Sequence, residues 1–218
     1  MRKKCYKVAA IREGALTISG HGNTLQWKKA SVLSDFHTSW DYGEKDPLTL
    51  KALWDDMFLY FRIEVENTRA YLDSPLHHSE GIGTPDRVEL FFRSNPTSQY
   101  YCIEINAKIP TINFKTIPFP YTKFDFDWSW PKNEVLTESR VTDYGYTVEG
   151  KISMKSLKEL HLIQNEMLQV GIYRIHYIQK DHFDYWPIGT TWVESKSKTS
   201  DFHFPSSFGI FLLDKEVI

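Results

Sequence analysis

Cysteine is scarce in this chain, with Cys5 and Cys102 the only two among 218 residues. Two residues so far apart make no disulfide framework, C-x-x-C is absent, and one bridge or two free thiols remain open. No run of eighteen apolar residues occurs, which excludes a membrane-spanning helix. Met1–Lys4 is basic, but Cys5–Ala10 alternates and Arg12 and Glu13 follow at once, so the start does not read as a signal peptide. Excess positive charge is also missing. Lys plus Arg number 26 against 28 Asp plus Glu, a net charge of -2. No global positive field exists to hold a nucleic-acid backbone.

Several catalytic signatures are absent too. There is no HExxH and no Cys/His zinc spacing, and the adjacent His77 and His78 would point apart in a strand. G-x-S-x-G is missing, and the G-I-G at 81–83 lacks the Lys-Ser/Thr end of a phosphate loop. No Asn-x-Ser/Thr acceptor occurs.

Aromatic residues are what the chain has in excess. Seven Trp, twelve Tyr and fourteen Phe make up 15% of the residues, and 41% are hydrophobic. That excludes general disorder. Such rings serve sandwich cores, interfaces, or platforms on which flat or ring-shaped ligands stack.

The hydrophobic period is mostly two. In M-F-L-Y-F-R-I-E-V-E, residues 57–66, Leu59, Phe61, Ile63 and Val65 share one face. Val88, Leu90 and Phe92 alternate with Arg87 and Glu89, and Tyr101, Ile103 and Ile105 with Cys102 and Glu104. Further strands are predicted over 146–152, 168–178 and 208–213. The stretch 106–135, with four prolines, reads as a long irregular excursion. One short helix is predicted near 153–162, capped by Ser153. Together these predict a single all-β domain over 1–218, a two-sheet antiparallel β-sandwich with one short helix. A closed barrel with a lipid or pigment pocket is the alternative.

Four segments carry a family resemblance. They are A-L-W-D-D-M-F-L-Y-F at 52–61, D-R-V-E-L-F-F at 86–92, Y-Y-C-I-E-I-N at 100–106 and D-F-H-F-P-S-S-F-G-I-F at 201–211, after a spaced Leu25, Trp27, Ala30 and Phe36. In this order they resemble the family 9 carbohydrate-binding modules and their relatives, over about residues 25–213. The resemblance implies a β-sandwich that grips a glycan end between two tryptophans with help from polar side chains, structural calcium, and association with xylanases. The family's strand near 168–178 often carries Asn and then Arg, whereas V-G-I-Y-R-I-H-Y-I-Q has His176 and Ile178 or Gln179 there.

Candidate sugar-binding residues follow from two aromatic clusters. In P-F-P-Y-T-K-F-D-F-D-W-S-W-P, residues 118–131, Phe124, Phe126, Trp128 and Trp130 would share one face if extended, a ledge for stacking or a flap over the sandwich. Trp186 and Trp192 are the ring candidates of the second cluster, 177–192, read as the connection between the last two strands. Arg174 and His176 lead into it on one face, and Arg87 and Glu89 share a face from which they could hold sugar hydroxyls. Glu89 and Glu104 on neighbouring strands could form a glycosidase pair, but their polar alternation suggests wet surface rather than a tuned catalytic acid. Asp55 and Asp56 read as turn formers or as calcium ligands. Gly209 would allow a close approach to the last strand. The expected function is non-catalytic binding of a plant or microbial polysaccharide or oligosaccharide such as xylan, with an extracellular or periplasmic location. The alternatives are a domain associated with, or weakly acting as, a glycoside hydrolase, and a protein-interaction sandwich.

Overall fold

The structure, a computed structural model, describes residues 3–39, 47–66, 86–96, 98–108, 110–117, 121–181, 184–194 and 203–218, without the side chains of 39, 178–181 and 184–187. In chain order the strands are β1 (Cys5–Ala10), β2 (His37–Ser39), β3 (Leu48–Trp54), β4 (Phe58–Glu66), β5 (Arg87–Arg93), β6 (Tyr100–Ile105) and β7 (Ile112–Ile117). They continue as β8 (Lys123–Asp125), β9 (Val135–Thr142), β10 (Gly145–Ser153), β11 (Ile163–Gln164), β12 (Met167–Asp181), β13 (Asp184–Thr191) and β14 (Gly209–Val217). One helix, α1 (Met154–Glu159), follows β10, and the Ser153 side chain caps it by accepting from the Ser156 N–H at 3.3 Å.

The fold is all-β, mostly antiparallel and sandwich-like. Backbone pairing runs as one path, β8-β7-β6-β5-β12-β14-β1-β3-β4-β10-β9. Its middle is not antiparallel, because β1 lies parallel to both β14 and β3. The pairing thus has no break of the kind a sandwich of two separate sheets would have.

Alternation built most of this. Leu59, Phe61, Ile63 and Val65 of β4 are buried as the period of two requires, as are Val88, Leu90 and Phe92 of β5. They share the main core with Ile103, Val148, Val170 and Ile172. Two departures matter for function. The supposed irregular excursion contains the ordered hairpin of β7 and β8, in which Lys115 lies opposite Asp125. The supposed connection after β12 is also a hairpin, with Ile178 opposite Trp186 and Tyr177 opposite Pro187.

The other face of β5, β6, β7 and β12 is covered as well. Phe91, Tyr100, Cys102, Phe114, Tyr173 and Phe208 form a second apolar cluster there. Cys102 is buried in it and Cys5 is exposed, and both thiols are free.

Candidate functional site

β5 places its side chains alternately on the two faces of the sheet. Val88, Leu90 and Phe92 enter the main core, so Arg87, Glu89 and Phe91 take the opposite face. The register then sets Glu89 between Glu104 of β6 and Tyr173 of β12, and Arg87 beside Ile175. The result is a polar group at one end of a face whose middle is apolar, with Arg93 stacked on Phe208 at the other end.

Arg87 is its centre. One guanidinium nitrogen lies 2.8 Å from Glu89 Oε1 and Nε lies 3.0 Å from Glu104 Oε2, both as ion pairs. The Tyr177 hydroxyl also hydrogen-bonds with Arg87. The three charged side chains retain only 14%, 3% and 16% of their exposure. Burial pushes the Glu89 carboxyl up to about 7, against the pull of Arg87 and with help from the neighbouring Glu104. Burial raises the Glu104 carboxyl as well, again opposed by Arg87. Near neutral pH the cluster therefore offers guanidinium donors, a carboxyl able to donate or accept, and acceptor oxygens. Glu89 and Glu104 do lie side by side as the sequence suggested, but they are largely buried rather than wet.

Arg174 and His176 do not join this group. Parity along β12 sends them to the core face, where they are 0% and 6% exposed. The Arg174 guanidinium donates to the Asp86 carboxylate at 2.6 and 3.1 Å, and the Tyr146 hydroxyl donates to the same carboxylate at 2.8 Å. Arg174 is thus a buried structural ion pair rather than a hand for sugar hydroxyls.

The predicted ledge splits. The Asp127 and Trp128 N–H groups donate to Asp125 Oδ1, and this turn reverses the chain after β8. Phe124 and Phe126 consequently pack on Phe114 on the outer face, with ring centroids 5.8 and 4.8 Å from it. Trp128 and Trp130 pack instead on Tyr101, with Trp130 buried in the main core and Trp128 half-buried against it. Tyr121, Phe124 and Phe126, not the two indoles, are the exposed rings among the described residues of the segment.

Trp192 is likewise a core residue, 1% exposed and 5.9 Å from the Phe211 ring. Its ring lies over Gly209, where an added Cβ would come within 2.4 Å of it. Residue 209 therefore has to be glycine or the indole must move. The Trp186 side chain lies outside the described residues. Its backbone sits in β13 on the hairpin that continues past Arg87, since Ile175 is opposite Arg87 and Ile178 opposite Trp186.

Asp55 is a turn former. Its Oδ1 accepts from the Met57 and Phe58 N–H groups at 2.9 and 2.7 Å, and its Oδ2 from the Gly14 N–H and the Tyr60 hydroxyl. Four donors surround the carboxylate, and a cation would have to displace them, so Asp55 does not fit a calcium ion. Asp56 is exposed. Among the described residues no three His, Cys, Asp or Glu side chains are grouped to hold a metal.

The sequence reading underrated Tyr177 and Glu104, which complete the Arg87 cluster. Their signal was parity, because Glu104 is the outward residue of a strand predicted to neighbour β5, and Tyr177 shares the face of Tyr173 and Ile175.

Among the described residues no helix is long and apolar enough to cross a membrane. No curated protein matches the chain. Among solved structures, the fold is similar to a candidate carbohydrate-binding protein from Bacteroides uniformis ATCC 8492, with TM-score 0.72 and 13% identity over 98% of this chain and 100% of that one. It is also similar to a carbohydrate binding module family 9 from Caldicellulosiruptor kristjanssonii in complex with glucose, with TM-score 0.61 and 17% identity over 98% and 97% of the two chains. The same type of module from that organism, in complex with cellotriose, gives TM-score 0.59 and 17% identity over 98% and 95%. Residues 18–216 match the family described as carbohydrate family 9 binding domain-like, and the chain belongs to that family.

Proposed function

We propose that the protein binds carbohydrate without transforming it, and that the Arg87–Glu89–Glu104 cluster with Tyr177 is the polar part of its site. The observation that carries this is a nearly buried guanidinium held between two carboxylates on the outer sheet face, one of them pushed up to about 7. Buried ion pairs are often replaced by well-packed apolar residues with no loss of stability, so this cluster is not accounted for by stability alone. A displaced carboxyl with a named charged partner on an outer sheet face is the physical signature of a candidate functional site. Both carboxylates are engaged by the same arginine, and the family is a binding family, so no chemical step is assigned.

Glycan recognition also needs a ring against the sugar's C–H face. Trp186 is our candidate from the aromatic cluster in the sequence, and its register partner is Ile178, the residue after Tyr177 in β12. Two of the structures named above are complexes with glucose and cellotriose, which makes β-glucan ends the first ligands to try. Two facing layers are part of this reading. Residues of β4 and β10 share one core with residues of β5, β6 and β12, strands that are not neighbours in the pairing path. An extracellular or periplasmic setting follows from a polysaccharide ligand.

The experiment is a glycan array followed by calorimetry with oligosaccharides carrying free and reduced ends. Loss of binding on reduction identifies an end-gripping site, and equal binding identifies recognition along the chain. No binding to any xylan, cellulose, mannan or host-type glycan at millimolar concentration overturns the function.

A further inference from the structure

A cleft of about 580 Å³ lies at the β7–β8 hairpin, away from the Arg87 cluster. Phe124 and Phe126 line it, 41% and 66% exposed, their rings 5.8 Å apart and within 23° of parallel. Its polar walls carry Lys115, Lys123, Asp125 and Asp127. Two exposed phenyl rings close to parallel, rimmed by polar groups of both signs, are not what a surface hairpin needs for solubility.

The chemistry narrows the ligand. Lys115 is already paired with Asp125 at 3.3 Å, which leaves one cation and one anion, Lys123 and Asp127. A phosphate or polyanion would need a surplus of positive charge, and an acyl chain would need an enclosed apolar channel. A neutral pyranoside fits both features, since its C–H face packs on a ring while its hydroxyls donate to carboxylates and accept from ammonium groups.

The cleft is also aligned with the first site. Phe124 is opposite Thr116, which is opposite Tyr100 at the start of β6, and Glu104 lies four residues further along that strand. That is roughly 13 Å along the strands and about 10 Å across them on the same face of the sheet, so a glycan reaching both sites would pass over the roof formed by the second apolar cluster. We infer that the Phe124–Phe126 cleft is a second carbohydrate subsite, which contacts a neutral glycan chain beyond the part held at the Arg87 cluster. The inference rests on the carbohydrate-binding reading for its ligand class.

The test titrates wild type, Phe126→Ala and Lys123→Ala with glucose, cellotriose and cellohexaose by calorimetry. Lys123 is exposed, which makes its replacement the variant that keeps the fold, and thermal melts check both. The expected result is about a tenfold loss of cellohexaose affinity in Phe126→Ala and a smaller loss in Lys123→Ala, with glucose affinity unchanged. Cellohexaose affinity within twofold of wild type in both variants overturns the subsite while leaving glucose binding, and hence the first site, in place. Glucose binding absent but cellohexaose binding sensitive to both variants supports the subsite and overturns the Arg87 site. No binding by wild type of any of the three sugars overturns both. Self-association that the variants abolish, seen by sedimentation velocity without an affinity change, assigns the patch to protein contact and overturns the subsite.

Discussion

Replacing Glu89 by glutamine should remove a specific pH dependence of stability. In the unfolded chain the carboxyl releases its proton near the ordinary value of 4.5, whereas in the folded protein it holds it up to about 7. Folding therefore takes up a proton between those values, and stability falls as pH rises through that window. The stabilising contribution is complete below the unfolded value and lost once the pH has passed the folded one. A gap of this size corresponds to roughly 3 kcal/mol. The cause is the burial of a carboxylate that Arg87 alone compensates incompletely, because Arg87 is shared with Glu104. The glutamine side chain carries no charge at any pH and keeps a hydrogen-bond acceptor for Arg87. Urea denaturation of both proteins from about pH 4.5 to 8 gives the difference in unfolding free energy. Wild type should lose about 3 kcal/mol relative to Glu89→Gln across that range, most of it below about pH 7. A difference that stays flat, or that moves in favour of wild type with rising pH, refutes the reasoning that Glu89 is buried without full compensation.

The remaining expectations concern the core pair, the ring and the metal. Arg174→Ala leaves buried Asp86 with the Tyr146 hydroxyl but without its cation and should destabilise the fold by about 3–5 kcal/mol in chemical denaturation, where a loss below about 1 kcal/mol would contradict a buried pair. Trp186→Ala should weaken glycan binding about thirtyfold, near 2 kcal/mol, in calorimetry with the fold intact by thermal melt. Calcium binding, which the family resemblance implies, should raise the melting midpoint over that in chelator, and Asp55→Asn should leave that rise in place because Asp55 is occupied by backbone and tyrosine donors. Identical wild-type midpoints with calcium and with chelator would remove the metal.

Period-two alternation made the strands legible. The inward sets of β4 and β5 could be read directly, and so could the Ser153 cap and the close approach at Gly209. Alternation fixes which residues share a face but not whether the second face is covered. Glu89 and Glu104 therefore read as wet surface, although distant Phe208 and the β8 segment roof the same face. The ledge failed for a local reason. One side chain, Asp125, caps a turn that sends Trp128 and Trp130 to the core and leaves Phe124 and Phe126 outside. Trp192 looked like a ring for sugar because aromatic loops serve both uses, and its burial depends on Phe211 and Gly209 of β14. The parallel placement of β1 beside β14 brings together the two ends of the sequence, a long-range pairing that no local pattern encodes.

The most direct test of the account is calorimetric titration of wild type and Glu104→Gln with cellotriose, with thermal melts confirming that both are folded. The substitution keeps an oxygen for Arg87 but removes one of the two carboxylates of the cluster. The expected result is measurable binding by wild type and a loss of about tenfold or more in the variant. Equal affinity of the two folded proteins would contradict a carbohydrate site at Arg87, Glu89 and Glu104.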